Sequence, residues 1–133
     1  MQATPLRLAA TALIYRRELF LSSLLGVSRK DDHALYGLPG GKVDDNETTY
    51  EAMVREVFEE TGLVVHNAVP IFFREEAGFL AVVYLVTHWS GQIATQELAK
   101  VEWIDFEVLK QGAFPAYNAA LEQQLERLAA LWA

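Results

Sequence analysis

The chain opens with two apolar, strand-like runs, LRLAATALIY and LFLSSLLG, separated by the charged triplet Arg16-Arg17-Glu18, where the pattern predicts a turn. A polar segment, SRKDDHALYGLPGG, follows and reads as a loop. The period then changes. TTYEAMVREVFEETG repeats at helical spacing, with Thr48 and Glu51 placed for a capping box and Gly62 for a C-terminal stop. AVPIFF, GFLAVVYLVTHW and the shorter KVEWIDF are strand candidates, and PAYNAALEQQLERLAALW predicts an amphipathic helix with proline in its first turn. Strands on both sides of a central helix, with a second helix at the end, predict an α/β fold in which a mixed sheet is sandwiched between helices. No repeat, low-complexity linker or Pro/Gly-rich boundary divides the pattern, so residues 1–133 read as one domain.

The central helix has two unlike faces. At roughly 100° per residue, Glu56, Glu59 and Glu60 fall within about a third of the circumference, while Tyr50, Met53, Val54, Val57 and Phe58 gather on the largely opposite side. Surface helices often carry glutamates for solubility alone. Here, however, like charges stand at i+3 and i+4 with no lysine on the stripe, and they lie towards the C-terminal half, where the helix dipole disfavours negative charge. Several hard oxygen ligands at this spacing suit Mg²⁺ or Mn²⁺, ions that keep waters and bridge to phosphate.

Composition narrows the classes. The chain has 133 residues, 52% of them hydrophobic, enough for a core. No apolar run reaches the roughly 18 residues of a membrane span, and the N-terminal apolar stretch lacks a preceding basic segment, which reads as a mature cytoplasmic N-terminus. The absence of cysteine excludes disulfides, thiolate zinc sites and cysteine nucleophiles. A net charge of −7 disfavours tight binding to nucleic acid or an anionic membrane. A small polyphosphate remains compatible if divalent cations stand between the two sets of negative charges.

The glycines of GLPGGK do not form a phosphate loop of the Walker type, since Tyr36 and Val43 occupy the places that need Gly and Ser or Thr. Pro39 and Gly40 alone would satisfy a simple turn. The joint spacing says more: Gly41, five residues, Glu47, seven residues, Arg55-Glu56-Val57, one residue, Glu59-Glu60, one residue, Gly62-Leu63. This resembles, without a departure, the signature of the Nudix hydrolases. The match covers under a fifth of the chain but fixes seven positions by identity and two by apolar character.

The resemblance implies a Nudix-type α/β/α sandwich and hydrolysis of a nucleoside diphosphate linked to another group with Mg²⁺, for which Mn²⁺ substitutes. It implies Glu56, Glu59 and Glu60 as metal ligands together with a carbonyl of the loop at Gly40. Arg55 would sit off the metal, holding Glu47 in an ion pair that orients the loop. The catalytic set is then Glu59, Glu56, Arg55 and Glu47, with the general base among the glutamates. Glu97 matches in position the additional glutamate that MutT-like members use as a ligand or base, although alone it is equally an exposed loop residue; Glu102 is its rival. Asn118, in FPAYN, resembles a base-reading asparagine and could instead be a polar residue of the last helix. Lys42 would reach a phosphate oxygen, and Arg29 and Lys30 either do the same or are solvated. His33, His66 and His88 show no ligand spacing. Phe72, Phe73, Phe79, Tyr84, Trp89 and Trp103 are expected to build the core and sheet faces, with one or two of them available to stack on a nucleobase.

The expectation is a MutT-like pyrophosphohydrolase that converts a nucleoside triphosphate to nucleoside monophosphate and pyrophosphate. Its partner would be a small-molecule nucleotide, with no nucleic acid or membrane, in a monomer or homodimer. ADP-ribose or nucleotide-sugar hydrolysis is the alternative, although Gly78 stands where such members often carry proline. A non-catalytic binding module is a third reading, disfavoured because every signature glutamate is present.

Overall fold

Alternation along two central strands splits the interior into two cores. In the computed structural model, which describes residues 7–16, 23–28, 32, 34–94 and 99–131, strand β1 (Arg7–Leu13) runs parallel to β6 (Phe79–Ser90), with Arg7 opposite Phe79 and Leu13 opposite Leu85. On one face Ala10, Ala12, Tyr84 and Val86 pack with Met53 and Val57 of helix α1 (Thr49–Thr61). On the other, Leu13, Val83 and Leu85 pack with Tyr117, Leu121 and Leu125 of helix α3 (Pro115–Ala130). A parallel pair requires a long crossover, and α1 lies within it.

Strands β4 (Gly40–Lys42) and β5 (Val64–Glu76) add antiparallel edges, giving the order β4-β1-β6-β5. A second antiparallel sheet has the order β3-β2-β7, from Tyr36–Gly37, Leu24–Ser28 and Val101–Ile104. The short helix α2 (Phe106–Lys110) precedes α3. The fold is the mixed-sheet α/β/α sandwich that the sequence predicts.

Local chemistry sets the limits of α1. Thr48 accepts from the Glu51 amide while the Glu51 side chain accepts from the Thr48 amide, completing the capping box, and Gly62 ends the helix at φ 80°. The Thr49 and Tyr84 hydroxyls, 2.6 Å apart, tie the first turn to β6. Four features depart from the sequence reading. The segment read as loop contains β3 and β4, and α2 forms where Asp105 caps the Val108 amide, so β7 ends at Ile104. Phe58 is 44% exposed because it lies about 100° from Val57, at the margin of the buried arc, whereas Thr61 falls inside it. Phe73 is 71% exposed on the edge strand β5.

Replacing Thr48 with Ala should lower stability by about 1 kcal/mol, since the Glu51 amide loses its acceptor. Denaturant unfolding measures this, and an unchanged midpoint would show that the capping box does not anchor α1.

Candidate active site

Arg55 organises the carboxylates of α1. Its Nε donates to Glu47 Oε2 at 3.1 Å and its NH2 to Glu47 Oε1 at 2.6 Å, a two-pronged pair, while NH2 also reaches the Lys42 carbonyl at 3.2 Å. Its NH1 donates to Glu56 Oε1 at 3.0 Å and to Glu59 Oε2 at 3.3 Å. The stripe therefore has a cation, which the sequence reading overlooked by seeking only a lysine. Arg55 holds Glu47 with one side of its fork, as the resemblance implied, and two of the stripe's glutamates with the other. The carboxylates keep its guanidinium charged at any accessible pH, with the Glu47 hydrogen bonds the largest cause.

The two glycines of β4 bring this cluster to the sheet edge. The Gly40 amide donates to Glu60 Oε1 at 2.7 Å. Gly40 lies at φ 152°, and a β-carbon there would drive into the backbone of Ala10 and Thr11. At Gly41 a β-carbon would stand 2.8 Å from the carboxyl carbon of Glu56. Both backbones thus lie directly against carboxylates of α1.

Beyond the glycines opens a cavity of about 600 Å³ on the α3 face of the sheet. Glu60, Gly40 and Gly41 line it at the β4 side, and Tyr117 and Asn118 at the α3 side. Its floor includes Ala9 and Ala81, register partners on β1 and β6. Tyr117 donates to the Ala81 carbonyl at 2.9 Å, and burial pushes its hydroxyl up to about 12. Asn118 is buried, with Nδ2 donating to the Leu109 carbonyl at 3.3 Å. Lys42 Nζ lies 5.8 Å from the ring centroid of Phe79, another lining residue.

The structure therefore brings Glu47, Arg55, Glu56, Glu59, Glu60 and Gly40 together, with Asn118 on the same cavity as Glu60 and Gly40. Glu97, Arg29, Lys30 and His33 lie outside the described residues. The Glu102 carboxylate is engaged by the Tyr36 hydroxyl at 2.8 Å. Tyr84, named above among the aromatics, faces α1 rather than the cavity, and His66 and His88 bond to Ser90 and Thr87 on the strands. The sequence reading missed Tyr36, Thr11 and Glu76 as cavity residues. The only signal for Thr11 was its parity on β1, opposite to that of Ala10 and Ala12.

Among the described residues no three acidic or histidine side chains already converge as a finished metal cluster. The donor set nonetheless suits a hard divalent cation: three carboxylates from one helix, all oxygen, beside a glycine backbone that lets an ion approach.

The model of the NUDIX domain matches residues 5–125. An 8-oxo-dGTP diphosphatase of Haemophilus influenzae is 36% identical over 92 residues, 65% of this chain and 67% of that one. An ADP-ribose pyrophosphatase of Methanocaldococcus jannaschii is 31% identical over 102 residues, 70% of this chain and 60% of its own. The crystal structure of a MutT Nudix hydrolase from Burkholderia pseudomallei superimposes with a TM-score of 0.70 at 30% identity, covering 88% of this chain and 96% of that one.

The pair at the centre of the site has a pH signature. Arg55, by its hydrogen bonds, and then the Asp44 amide hold the Glu47 carboxyl below the usual carboxylate range. Because the folded value is depressed, the pair's contribution to stability is fully present above the ordinary carboxylate pKa and is lost as pH falls through the lower folded value. Glu47→Gln should therefore melt below the native chain at neutral pH, with the gap closing only in acid. Paired melting curves across that range check it, and a gap already closed near about pH 6 would contradict the assignment.

Proposed function

This chain belongs to the Nudix family of pyrophosphohydrolases, and from that premise we propose that it cleaves nucleoside triphosphates to nucleoside monophosphate and pyrophosphate with Mg²⁺. One observation carries the reading: Glu60 of the acidic stripe, the glycine pair at Gly40 and Gly41 against which Glu60 and Glu56 stand, and the buried Asn118 meet at the same cavity. Phosphates belong at the glycine end and the base beneath α3. The 8-oxo-dGTP diphosphatase relative supports a triphosphate, purine-type substrate.

Glu56, Glu59, Glu60 and the Gly40 carbonyl would hold Mg²⁺, or Mn²⁺ in its place. That ion supplies charge neutralisation on the phosphates and lowers the pKa of water. The chain's own residues do the rest. Arg55 and Glu47 fix the loop against the helix through a rigid two-pronged pair that an ammonium cannot reproduce. Lys42 offers a cation to a phosphate oxygen, and Arg29 a further one. A carboxylate of the set, with Glu97 as an additional candidate, accepts the proton of the attacking water. As the new phosphorus–oxygen bond forms, the bridging bond breaks and pyrophosphate leaves. Asn118 contacts the base. The enzyme works as a single cytoplasmic domain on a small nucleotide, with no nucleic acid or membrane partner.

A panel of deoxynucleoside triphosphates, 8-oxo-dGTP and ADP-ribose, assayed with Mg²⁺ for pyrophosphate and for phosphomonoester products, tests this. Triphosphates should give pyrophosphate, and Glu59→Gln should lower kcat/KM by about a hundredfold or more. The same variant should weaken Mn²⁺ binding in a titration without substrate, with little change in melting. Near-normal turnover by Glu59→Gln would overturn the metal-site assignment, and turnover of ADP-ribose alone would move the substrate to a nucleotide sugar.

A further inference from the structure

The cavity wall carries a carboxylate that the proposed reaction does not use. Glu76, the last residue of β5, lines the cavity and is half-buried. It makes no hydrogen bond or ion pair among the described residues, including with Arg74, its exposed neighbour on the same strand face. The two-residue hairpin Ala77–Gly78, with both residues at positive φ, returns the chain so that Glu76 stands opposite Phe79. Ala77 holds this conformation at φ 51° without being glycine, so the turn is fixed at some cost in strain.

Register places this carboxylate relative to the acidic stripe. Strands β4 and β5 are opposite edges of the sheet, three strand spacings or about 14 Å apart, and Glu76 lies three residues beyond the β5 position in register with Gly41, about 10 Å further along the strand. Between them the floor is Ala9 and Ala81, whose small side chains leave room for a flat ring, with Phe79 beside it. With phosphates at the glycines, which is the reading this inference rests on, the far end receives the base.

We propose that Glu76 is a specificity-determining residue that selects guanine-type bases. A carboxylate only accepts hydrogen bonds, and its two oxygens match two parallel N–H donors. Guanine presents that pair side by side, as N1–H and the N2 amino group. Adenine sets an amino donor beside the N1 lone pair, so one carboxylate oxygen would face another acceptor. Uracil flanks a single N–H with two carbonyl oxygens. Hypoxanthine keeps N1–H but lacks the amino group, which makes it the diagnostic comparison. Oxidation at C8 leaves the guanine donor edge unchanged, so an oxidised guanine is selected equally. Asn118, whose Oδ1 makes no hydrogen bond among the described residues, is left to contact another edge of the ring.

The test compares GTP, ITP and ATP turnover with Mg²⁺ by the native enzyme and by Glu76→Gln, alongside calorimetric binding of GMP, IMP and AMP. The native enzyme should rank GTP above ITP above ATP. Glu76→Gln conserves size, so melting should be unchanged. It should lose about tenfold in kcat/KM on GTP, mostly through KM, with GMP binding weakened by the same factor. Its ATP turnover should stay within about twofold. Equal losses on all three triphosphates, or none, would overturn the assignment while leaving the proposed reaction intact. Native enzyme that turns over none of them would overturn the reaction and this inference together.

Discussion

Two residues without side chains decide whether this molecule has a working site. Helix α1 packs on one face of the central sheet and the cavity lies on the other, so the helix's carboxylates can serve the cavity only around the edge strand β4. At that edge stand Gly40 and Gly41. The first presents its amide to Glu60, in a backbone conformation that L side chains rarely adopt; the second yields the volume that the Glu56 carboxyl fills. Everything else positions the helix against this gap. The capping box and the Thr49–Tyr84 contact hold its start, the Arg55 fork ties its middle to Glu47 and the Lys42 carbonyl, and the Gly62 cap closes its end.

The electrostatics are arranged at the expense of local stability. Three glutamates lie in the C-terminal half of α1, where no basic residue stands in the last turn to meet the helix dipole. Arg55 offsets part of the repulsion by contacting Glu56 and Glu59, and because its charge is delocalised over a planar fork it does this while pairing with Glu47. For a chain with net charge −7 to bind the polyphosphate proposed above, cations would have to be concentrated at one place rather than spread over the surface.

What was legible in the sequence was local. Helix α1, its caps and the spacing of its acidic residues follow from periodicity and from chemistry within a few residues of each other. β1 and β6 were legible as strands because each is a short run rich in apolar residues, β6 nearly unbroken in its first eight positions. The cavity was not legible, since its floor is made by Ala9 and Ala81, which look like weak strand residues until register sets them side by side. Glu76 reads as one more charge at a hairpin until the sheet order shows which wall it joins. Strands β3 and β4, of two and three residues, are too short to carry a period. Phe58 and Phe73 were expected inside because apolar character was taken for burial, whereas helix phase and an uncovered sheet edge govern those positions.

The passage between helix and cavity is tested most directly at Gly41. Its backbone conformation is open to any residue, and the atoms a methyl group would displace are the flexible end of Glu56, so Gly41→Ala should fold with melting little changed. The Glu56 carboxyl must move, however, and a displacement of about 1 Å in such a site costs on the order of a hundredfold in rate. Kinetics and melting of this one variant therefore measure the claim: lost kcat/KM with retained stability is the predicted result, and native kcat/KM with the methyl group in place would contradict it.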